Sequence, residues 1–178
     1  SIADGDTAQQ AVEELYRHGH RRIAALISRP NDQSISQLRY EGYVQALESH
    51  GIPVDPELVI STGGFGAKDA YRAVQEKMAE NVDFTALFAI ADSMAIGAMR
   101  ALMDAGRRIP EDCSVIAIDG LELSAYIEPP LTTLCQPMEE MGRRSAEILL
   151  DMVRHKGSHA CELLPTTLRQ GRSVAAPR

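Results

Sequence analysis

Short apolar runs alternate with longer segments of helical length along the first two thirds of the chain. Four runs are apolar almost throughout, as strands buried on both faces of a parallel sheet are; they cover residues 22–28, 57–61, 84–91 and 114–119. The segments of helical length cover residues 7–18, 36–49, 67–79 and 92–105. This order predicts an α/β fold, an open parallel sheet with helices on both faces.

Polar side chains follow each predicted strand. Residues 29–32 follow the first strand, Phe65 lies in the loop after the second, Asp92 follows the third and Asp119 ends the fourth. Ligands of open parallel sheets bind at the carboxyl ends of the strands. We therefore expect the functional site at this edge of the sheet.

The last third of the chain has a different pattern. A short extended run is predicted at 131–135, after two consecutive prolines. A long helix is predicted from Pro137, which suits a first helical position, to about Lys156. Residues 161–168 form one further strand candidate.

Composition and charge exclude several classes of protein. The 178 residues are 44% hydrophobic, enough for the core of one domain. The formal net charge of −7 excludes a generally basic surface that binds nucleic-acid phosphates. We find no apolar run long enough to span a membrane and no secretion signal in this sequence. Three separated cysteines favour a reduced, cytoplasmic setting.

No catalytic motif is complete. The Gly64-Phe65-Gly66 turn fails as a dinucleotide fingerprint because position 69 is aspartate. The phosphate-binding loop, the zinc-protease motif and the serine nucleophile elbow have no match. A metal cluster at His155, His159 and Cys161 is weaker than a solvated helix end. We therefore expect neither an enzyme nor a bound metal or cofactor. The basic residues at 18–22 are expected to complement the carbonyl end of the first helix.

Six segments in order resemble the LacI/GalR family of bacterial transcription regulators. They are GHRRIA at 19–24, LRYEGY at 38–43, ADSMAIGA at 91–98, VIAIDG at 115–120, PLTTLCQP at 130–137 and MG at 141–142. The resemblance implies a periplasmic-binding-protein-like effector domain of two lobes. It assigns residues 1–136 to the C-terminal lobe, 137–165 to a segment of the N-terminal lobe, and 166–178 to a return and tail. The apolar face of the helix in 137–165 would then lack its cover, and we expect it to pack on a neighbouring chain or to be displaced.

The resemblance also implies an effector site for a sugar or a similar small polar molecule. Arg39 matches an arginine that holds ligand hydroxyls or a carboxylate, because a guanidinium offers several fixed donors. Asp119 matches an acid that accepts from vicinal hydroxyls, and Phe65 an aromatic ring against the sugar. Asp92 and Gln136 match rim and lobe-crossing positions. From spacing alone, a surface salt bridge, a turn cap and a core residue are equally good accounts of Arg39, Asp119 and Phe65.

Two positions depart from the family pattern. Many relatives carry asparagine where this chain has Ala91, which removes one hydroxyl contact and leaves the identity of the effector open. At Met138 some relatives carry a larger aromatic residue beneath the ligand.

The implied partners are an effector, operator DNA and a second copy of the chain. DNA would be bound only through an N-terminal domain that this chain does not contain, so this chain alone is expected to bind neither operator nor effector well. The candidate dimer residues are Met94, Ile96 and Tyr126, although helix packing within one chain explains Met94 and Ile96 nearly as well. The alternatives are a sugar-binding protein of a transport system with the same fold and a small α/β enzyme.

Overall fold

The computed structural model describes residues 1–29, 34–155 and 161–178. Its helices are α1 (Asp4–Arg17), α2 (Ile35–Ser49), α3 (Ala67–Ala79), α4 (Asp92–Asp104) and α5 (Met138–His155). Its strands are β1 (Ile23–Ser28), β2 (Val59–Thr62), β3 (Ala86–Ala89), β4 (Ser114–Asp119), β5 (Thr132–Cys135) and β6 (Thr167–Arg169). The predicted rim residues 30–32, the predicted helix end at Lys156 and the candidate metal ligand His159 lie outside the described residues.

The six strands form one sheet in the order β2-β1-β3-β4-β5-β6. Strands β1 to β5 are parallel, and β6 is antiparallel to β5. All residues of β1 and β3 are buried, as their continuous apolar sequences predict. The predicted α/β fold class with its largely parallel sheet is confirmed. The strand order reverses at β1, where ligands of such sheets bind.

The helices pack in two pairs. Helix α1 lies against α2, and α3 lies against α4. Right-handed crossovers from β1 through α2 to β2, and from β2 through α3 to β3, place the two pairs on opposite faces of the sheet. Glycine permits the closest approach within each pair. A Cβ at Gly42 in α2 would lie 2.1 Å from the carbonyl oxygen of Gly5 in α1.

Several predicted boundaries were wrong, including both ends of the third strand, which spans Ala86–Ala89 and not 84–91. Helix α1 begins at Asp4 and not at residue 7. Residues Pro56–Leu58 form a 3-10 turn, because the Asp55 carboxylate accepts from the Glu57 N–H at 3.0 Å, and the second strand starts only at Val59. The predicted last strand at 161–168 shrinks to Thr167–Arg169, since Pro165 has no N–H to donate to a ladder.

Helix α5 is covered little by the rest of the chain. Met141 packs against the core, and Arg144 forms an ion pair with Glu162 at 2.7 Å. Four large apolar side chains of the helix are exposed: Met138, Leu149, Leu150 and Val153. Packing of this apolar face on a neighbouring chain stays a prediction. No helix in the described ranges is both long and apolar enough to cross a membrane.

Candidate functional site

Three of the predicted site residues meet at the carboxyl ends of the parallel strands. Arg39 comes from the first turns of α2, Asp119 is the last residue of β4, and Gln136 follows β5. The Arg39 Nη1 lies 3.2 Å from Asp119 Oδ1, and the Gln136 Nε2 lies 2.7 Å from the same oxygen. Residues separated by 80 and 17 positions in sequence thus form one polar cluster.

Arg39 is held rigidly although it carries a charge. The residue is only 3% exposed. Its Nε donates to Asp4 Oδ1 at 2.8 Å, and its Nη1 donates to the Ile90 carbonyl and to Asp119. A buried guanidinium needs such partners, because an unpaired charge in the interior costs several kcal/mol. Among the described residues, the Nη2 atom makes no hydrogen bond.

Asp119 is the accessible acid of the cluster, with a side chain 24% exposed. Its Oδ1 accepts both protein donors, while Oδ2 has no donor in the part of the chain that the structure describes. The backbone of Asp119 adopts φ 135°, a region that residues other than glycine rarely occupy. The Gln136 N–H holds this conformation by donating to the Asp119 carbonyl at 3.1 Å. Gln136 therefore fixes both the backbone and the carboxylate of Asp119.

Phe65 lies in the loop after β2 and is 43% exposed. The Ser93 hydroxyl donates to the Phe65 carbonyl at 2.7 Å, which ties this loop to the start of α4. The phenyl ring is therefore at the same edge of the sheet as the polar cluster. A contact between Phe65 and a ligand stays a prediction.

Asp92 does not lie on the rim, where the sequence placed it, because it is fully buried. Its Oδ2 accepts from the Leu121 N–H at 2.8 Å and from the Ser124 hydroxyl at 2.7 Å. Its Oδ1 accepts from the Thr133 hydroxyl at 2.5 Å. Burial raises the pKa of the Asp92 carboxyl above its ordinary value, although these hydrogen bonds oppose the shift. The structure thus gives Asp92 the task of anchoring the loop that follows Asp119.

The structure also shows the surroundings of Ala91 and Met138, the two residues that depart from the family pattern. Ala91 is buried just before α4 and has no polar group to offer. Met138 begins α5 and is exposed. Neither residue contributes a hydrogen bond from its side chain to the cluster.

The predicted dimer residues differ in their surroundings. Met94 is fully buried inside its own chain, so it packs in the core and cannot form a surface patch. Ile96 is half-buried. Tyr126 is 78% exposed, and Leu121 and Leu123 beside it are also exposed. The exposed apolar patch that remains consists of Leu121, Leu123 and Tyr126.

Sequence reasoning missed Asp4. Its carboxylate is buried beside Arg39, at the start of α1. The only local signal is an acid in the first turn of a helix, which usually indicates a solvated residue that complements the helix dipole. Within the described residues, no group of three or more potential metal ligands occurs.

An open, largely parallel sheet with an arginine, a carboxylate and an amide clustered at its carboxyl edge defines the class of α/β domains that carry a polar site at this edge. The family model of the periplasmic binding protein-like domain matches residues 12–174, and the chain belongs to this family. Among curated proteins, the HTH-type transcriptional repressor CytR of Escherichia coli strain K12 is 39% identical over 163 residues. That match covers 88% of this chain and 47% of CytR.

Solved structures agree with the sequence comparison. The CelR–cellobiose complex of a transcriptional regulator superposes with a TM-score of 0.89 at 33% identity, over 97% of this chain and 53% of that one. A dimeric Lac repressor with a C-terminal deletion superposes with a TM-score of 0.90 at 30% identity, over 99% of this chain and 64% of that one. The relatives are LacI-family regulators, as the sequence motifs predicted. The chain spans about half the length of the curated relatives that it matches.

Proposed function

We propose that the chain is the ligand-sensing and dimerisation part of a LacI-type transcriptional regulator that responds to a sugar or a similar small polar effector. The observation that carries the proposal is the cluster of Arg39, Asp119 and Gln136 at the carboxyl edge of the sheet, in a chain whose relatives are regulators. These relatives favour a regulator over a sugar-binding protein of a transport system. A regulator that meets DNA works in the bacterial cytoplasm.

The cluster offers the groups that a hydroxyl-bearing ligand requires. Asp119 Oδ2 accepts from a hydroxyl, and Arg39 Nη2 donates to one. Fixed donors and acceptors lose little entropy when the ligand binds, which raises affinity. Phe65 supplies an apolar ring at the same edge, suited to the carbon face of a sugar.

The second half of the binding cleft comes from another lobe. We assign residues 1–136 and 166–178 to the lobe described here and residues 137–165 to a segment of its neighbour. The exposed apolar side chains of α5, such as Leu149 and Val153, are the surface that the neighbouring lobe covers. Gln136 lies at the junction, since it bonds to Asp119 and precedes α5 directly.

Effector binding acts by a population shift. A ligand held between two lobes favours one relative orientation, and it can shift the equilibrium only by its differential affinity for the two states. In a symmetric dimer this orientation sets the spacing of two DNA-binding domains on an operator with two half-sites. The DNA-binding domain lies outside this chain. The exposed patch of Leu121, Leu123 and Tyr126 supports a dimer contact on this lobe.

The test is a screen of sugars by thermal shift on the intact protein, because a ligand of the native state raises its melting temperature. With a hit in hand, Asp119→Ala should weaken binding at least about tenfold, since it removes one acceptor of charge-assisted hydrogen bonds. Asp151→Asn, an exposed acid on α5, is the matched control and should leave affinity unchanged. Equal affinity of Asp119→Ala and the unaltered protein would contradict the proposed site.

A further inference from the structure

Asp4 is the buried partner of the arginine in the proposed effector site. It is 8% exposed, and its Oδ1 accepts from Arg39 Nε at 2.8 Å. The short distance and the burial of both groups make this a charge-assisted hydrogen bond that solvent screens weakly. Arg39 therefore meets a ligand with one carboxylate already bound behind it.

A second carboxylate next to Arg39 makes the cluster anionic. Asp119 Oδ1 lies 3.2 Å from Arg39 Nη1, and the Ile90 carbonyl takes a further donor of the same nitrogen. One cation is thus flanked by two anions, and the cluster of Asp4, Arg39 and Asp119 carries a formal charge of −1. The excess negative charge faces solvent at Asp119, which is the most exposed of the three residues.

A second cation at this edge of the sheet, Arg169, has its hydrogen-bond partners outside this cluster. Arg169 donates instead to the carbonyls of Gly120 and Leu121 and to the Ser124 hydroxyl. That hydroxyl is hydrogen-bonded to the buried Asp92 carboxylate. Arg169 therefore binds the loop that follows Asp119, and among the described residues it forms no hydrogen bond with the Asp119 carboxylate.

We propose that Asp4 is a positioning and specificity-determining residue, which neutralises Arg39 and restricts the site to uncharged, hydroxyl-bearing ligands. Sugar acids and sugar phosphates are disfavoured on this lobe, because their charge would face Asp119 and because Arg39 already has two carboxylate partners. This inference rests on the proposed function, since it concerns the same ligand site. Nothing in the sequence of α1 marks Asp4 for this task.

The substitution Asp4→Asn removes the negative charge of the side chain and keeps its size and shape. Asparagine keeps a carbonyl acceptor for the Arg39 Nε but removes the charge, so the cluster becomes neutral. The matched control is Asp6→Asn, an exposed acid in the same first turn of α1. It makes the same change of net charge without a contact to Arg39.

The experiment is titration calorimetry on the intact protein with pairs of probes that keep the sugar rings and differ in one charge: glucose with glucuronate, and cellobiose with cellobiouronate. The unaltered protein should bind the neutral sugar of a pair at least about tenfold more tightly than the acid. Asp4→Asn should shrink this ratio at least about fivefold, while Asp6→Asn should leave it unchanged. A purely structural role of Asp4 would weaken both members of a pair equally and would overturn the proposal.

A second measurement does not depend on the effector. Sodium phosphate and sodium glucuronate, compared with sodium chloride at equal ionic strength, should raise the melting temperature of Asp4→Asn but not of the unaltered protein or Asp6→Asn. Absence of this gain in a folded Asp4→Asn protein overturns the proposal. If Asp4→Asn does not fold, Asp119→Asn removes the other carboxylate and should show the same gain for anions.

The two proposals fail in distinguishable ways. Binding of glucuronate by the unaltered protein as tight as that of glucose overturns the charge selectivity but leaves a ligand-sensing regulator intact. Absence of any sugar effect on binding of the intact protein to DNA overturns the proposed function. The anion measurement on Asp4→Asn then still decides whether Asp4 neutralises Arg39.

Discussion

Some polar residues of this lobe belong to the proposed effector site, and others hold the surrounding loops in place. Solvent exposure of the side chain distinguishes the two groups. Asp119 and Asp92 both stand at the carboxyl ends of buried strands and are indistinguishable by that criterion in the sequence. In the structure Asp119 presents its carboxylate to the edge of the sheet, whereas Asp92 has all its acceptors engaged inside. The position of Arg39 and Asp119 was predictable because family motifs mark them. The partnership of Asp4 with Arg39 was not, because it joins residues 35 positions apart through tertiary packing.

Loss of the Asp92 carboxylate should destabilise the protein strongly. Asp92→Ala leaves the Leu121 N–H and the hydroxyls of Ser124 and Thr133 without their acceptor in a buried place. The expected loss in free energy of unfolding is about 2–4 kcal/mol, measured by urea denaturation. Glu122→Ala, an exposed acid of the neighbouring 3-10 turn, should change stability by less than about 0.5 kcal/mol. An Asp92→Ala protein as stable as Glu122→Ala would contradict this account.

The raised pKa of Asp92 gives the same site a pH dependence. Because the native state binds this proton more readily than the unfolded chain, protonation favours folding. The penalty of the buried charge is present at neutral pH and is relieved as the pH falls through the raised pKa. Asp92→Asn has no such proton, so the stability of the unaltered protein relative to Asp92→Asn should rise toward acid. Urea midpoints of both proteins between about pH 7 and 4 test this; parallel curves would refute it.

At the scale of elements, continuous apolar runs identified the strands that are buried on both faces. The bounds of β4 and α3 agree with those predicted, since their flanking residues end the periodicity sharply. The antiparallel strand β6 was misplaced because its pairing with β5 depends on tertiary position, and its three residues are largely exposed. Local sequence contains little information about such an edge strand.

The contact between α1 and α2 makes a prediction about glycine. A Cβ at Gly42 would lie 2.1 Å from the Gly5 carbonyl oxygen and 2.9 Å from the Ala8 Cβ, so α2 must move away from α1. Gly42→Ala should lower the free energy of unfolding by about 1–3 kcal/mol through this overpacking. Gly142→Ala in α5 is the control, because a Cβ at Gly142 would meet no other part of the protein within 4 Å among the described residues. It should stabilise α5 by about 0.5–1 kcal/mol. A Gly42→Ala protein more stable than the unaltered protein would contradict this prediction, because it would show that α1 and α2 can move apart at no cost in free energy.

At the scale of the whole molecule, the C-terminal segment returns to the edge of the sheet at which the parallel strands begin. The Val115 N–H donates to the Ser173 carbonyl at 2.7 Å, and the Ser173 hydroxyl joins β4 to β5 through the Val115 carbonyl and the Thr132 N–H. The C-terminal segment therefore lies across the start of the strands, opposite the effector site. Its hydrogen bonds are not visible in sequence patterns, because they join irregular backbone to distant strands.

The predicted role of the basic residues at 18–22 holds for Arg21, whose Nη1 donates to the Tyr16 carbonyl of α1 at 3.0 Å. His20 instead contacts the C-terminal segment. It is buried, its Nε2 donates to the Ala175 carbonyl at 2.8 Å, and its Nδ1 accepts from the Thr85 hydroxyl at 2.9 Å. This arrangement holds the neutral imidazole. Burial lowers the pKa of His20 below its ordinary value of 6.5, and the nearby His18 and Arg21 lower it further, although the hydrogen bond to the Ala175 carbonyl opposes the shift.

Acid should therefore loosen the C-terminal segment. The neutral form of His20 stabilises the fold above the pKa of the unfolded chain, and this contribution is lost as the pH falls through the lower pKa of the folded state. Hydrogen exchange at the Ala175 amide, which donates to the Ser114 hydroxyl at 3.0 Å, should accelerate relative to the core as the pH is lowered from about 7 to 5. His20→Gln should abolish this change, while His50→Gln, which removes a half-buried histidine bonded to Glu13, should preserve it. Persistence of the pH response in His20→Gln would assign it to another group and remove His20 from the closure of the fold.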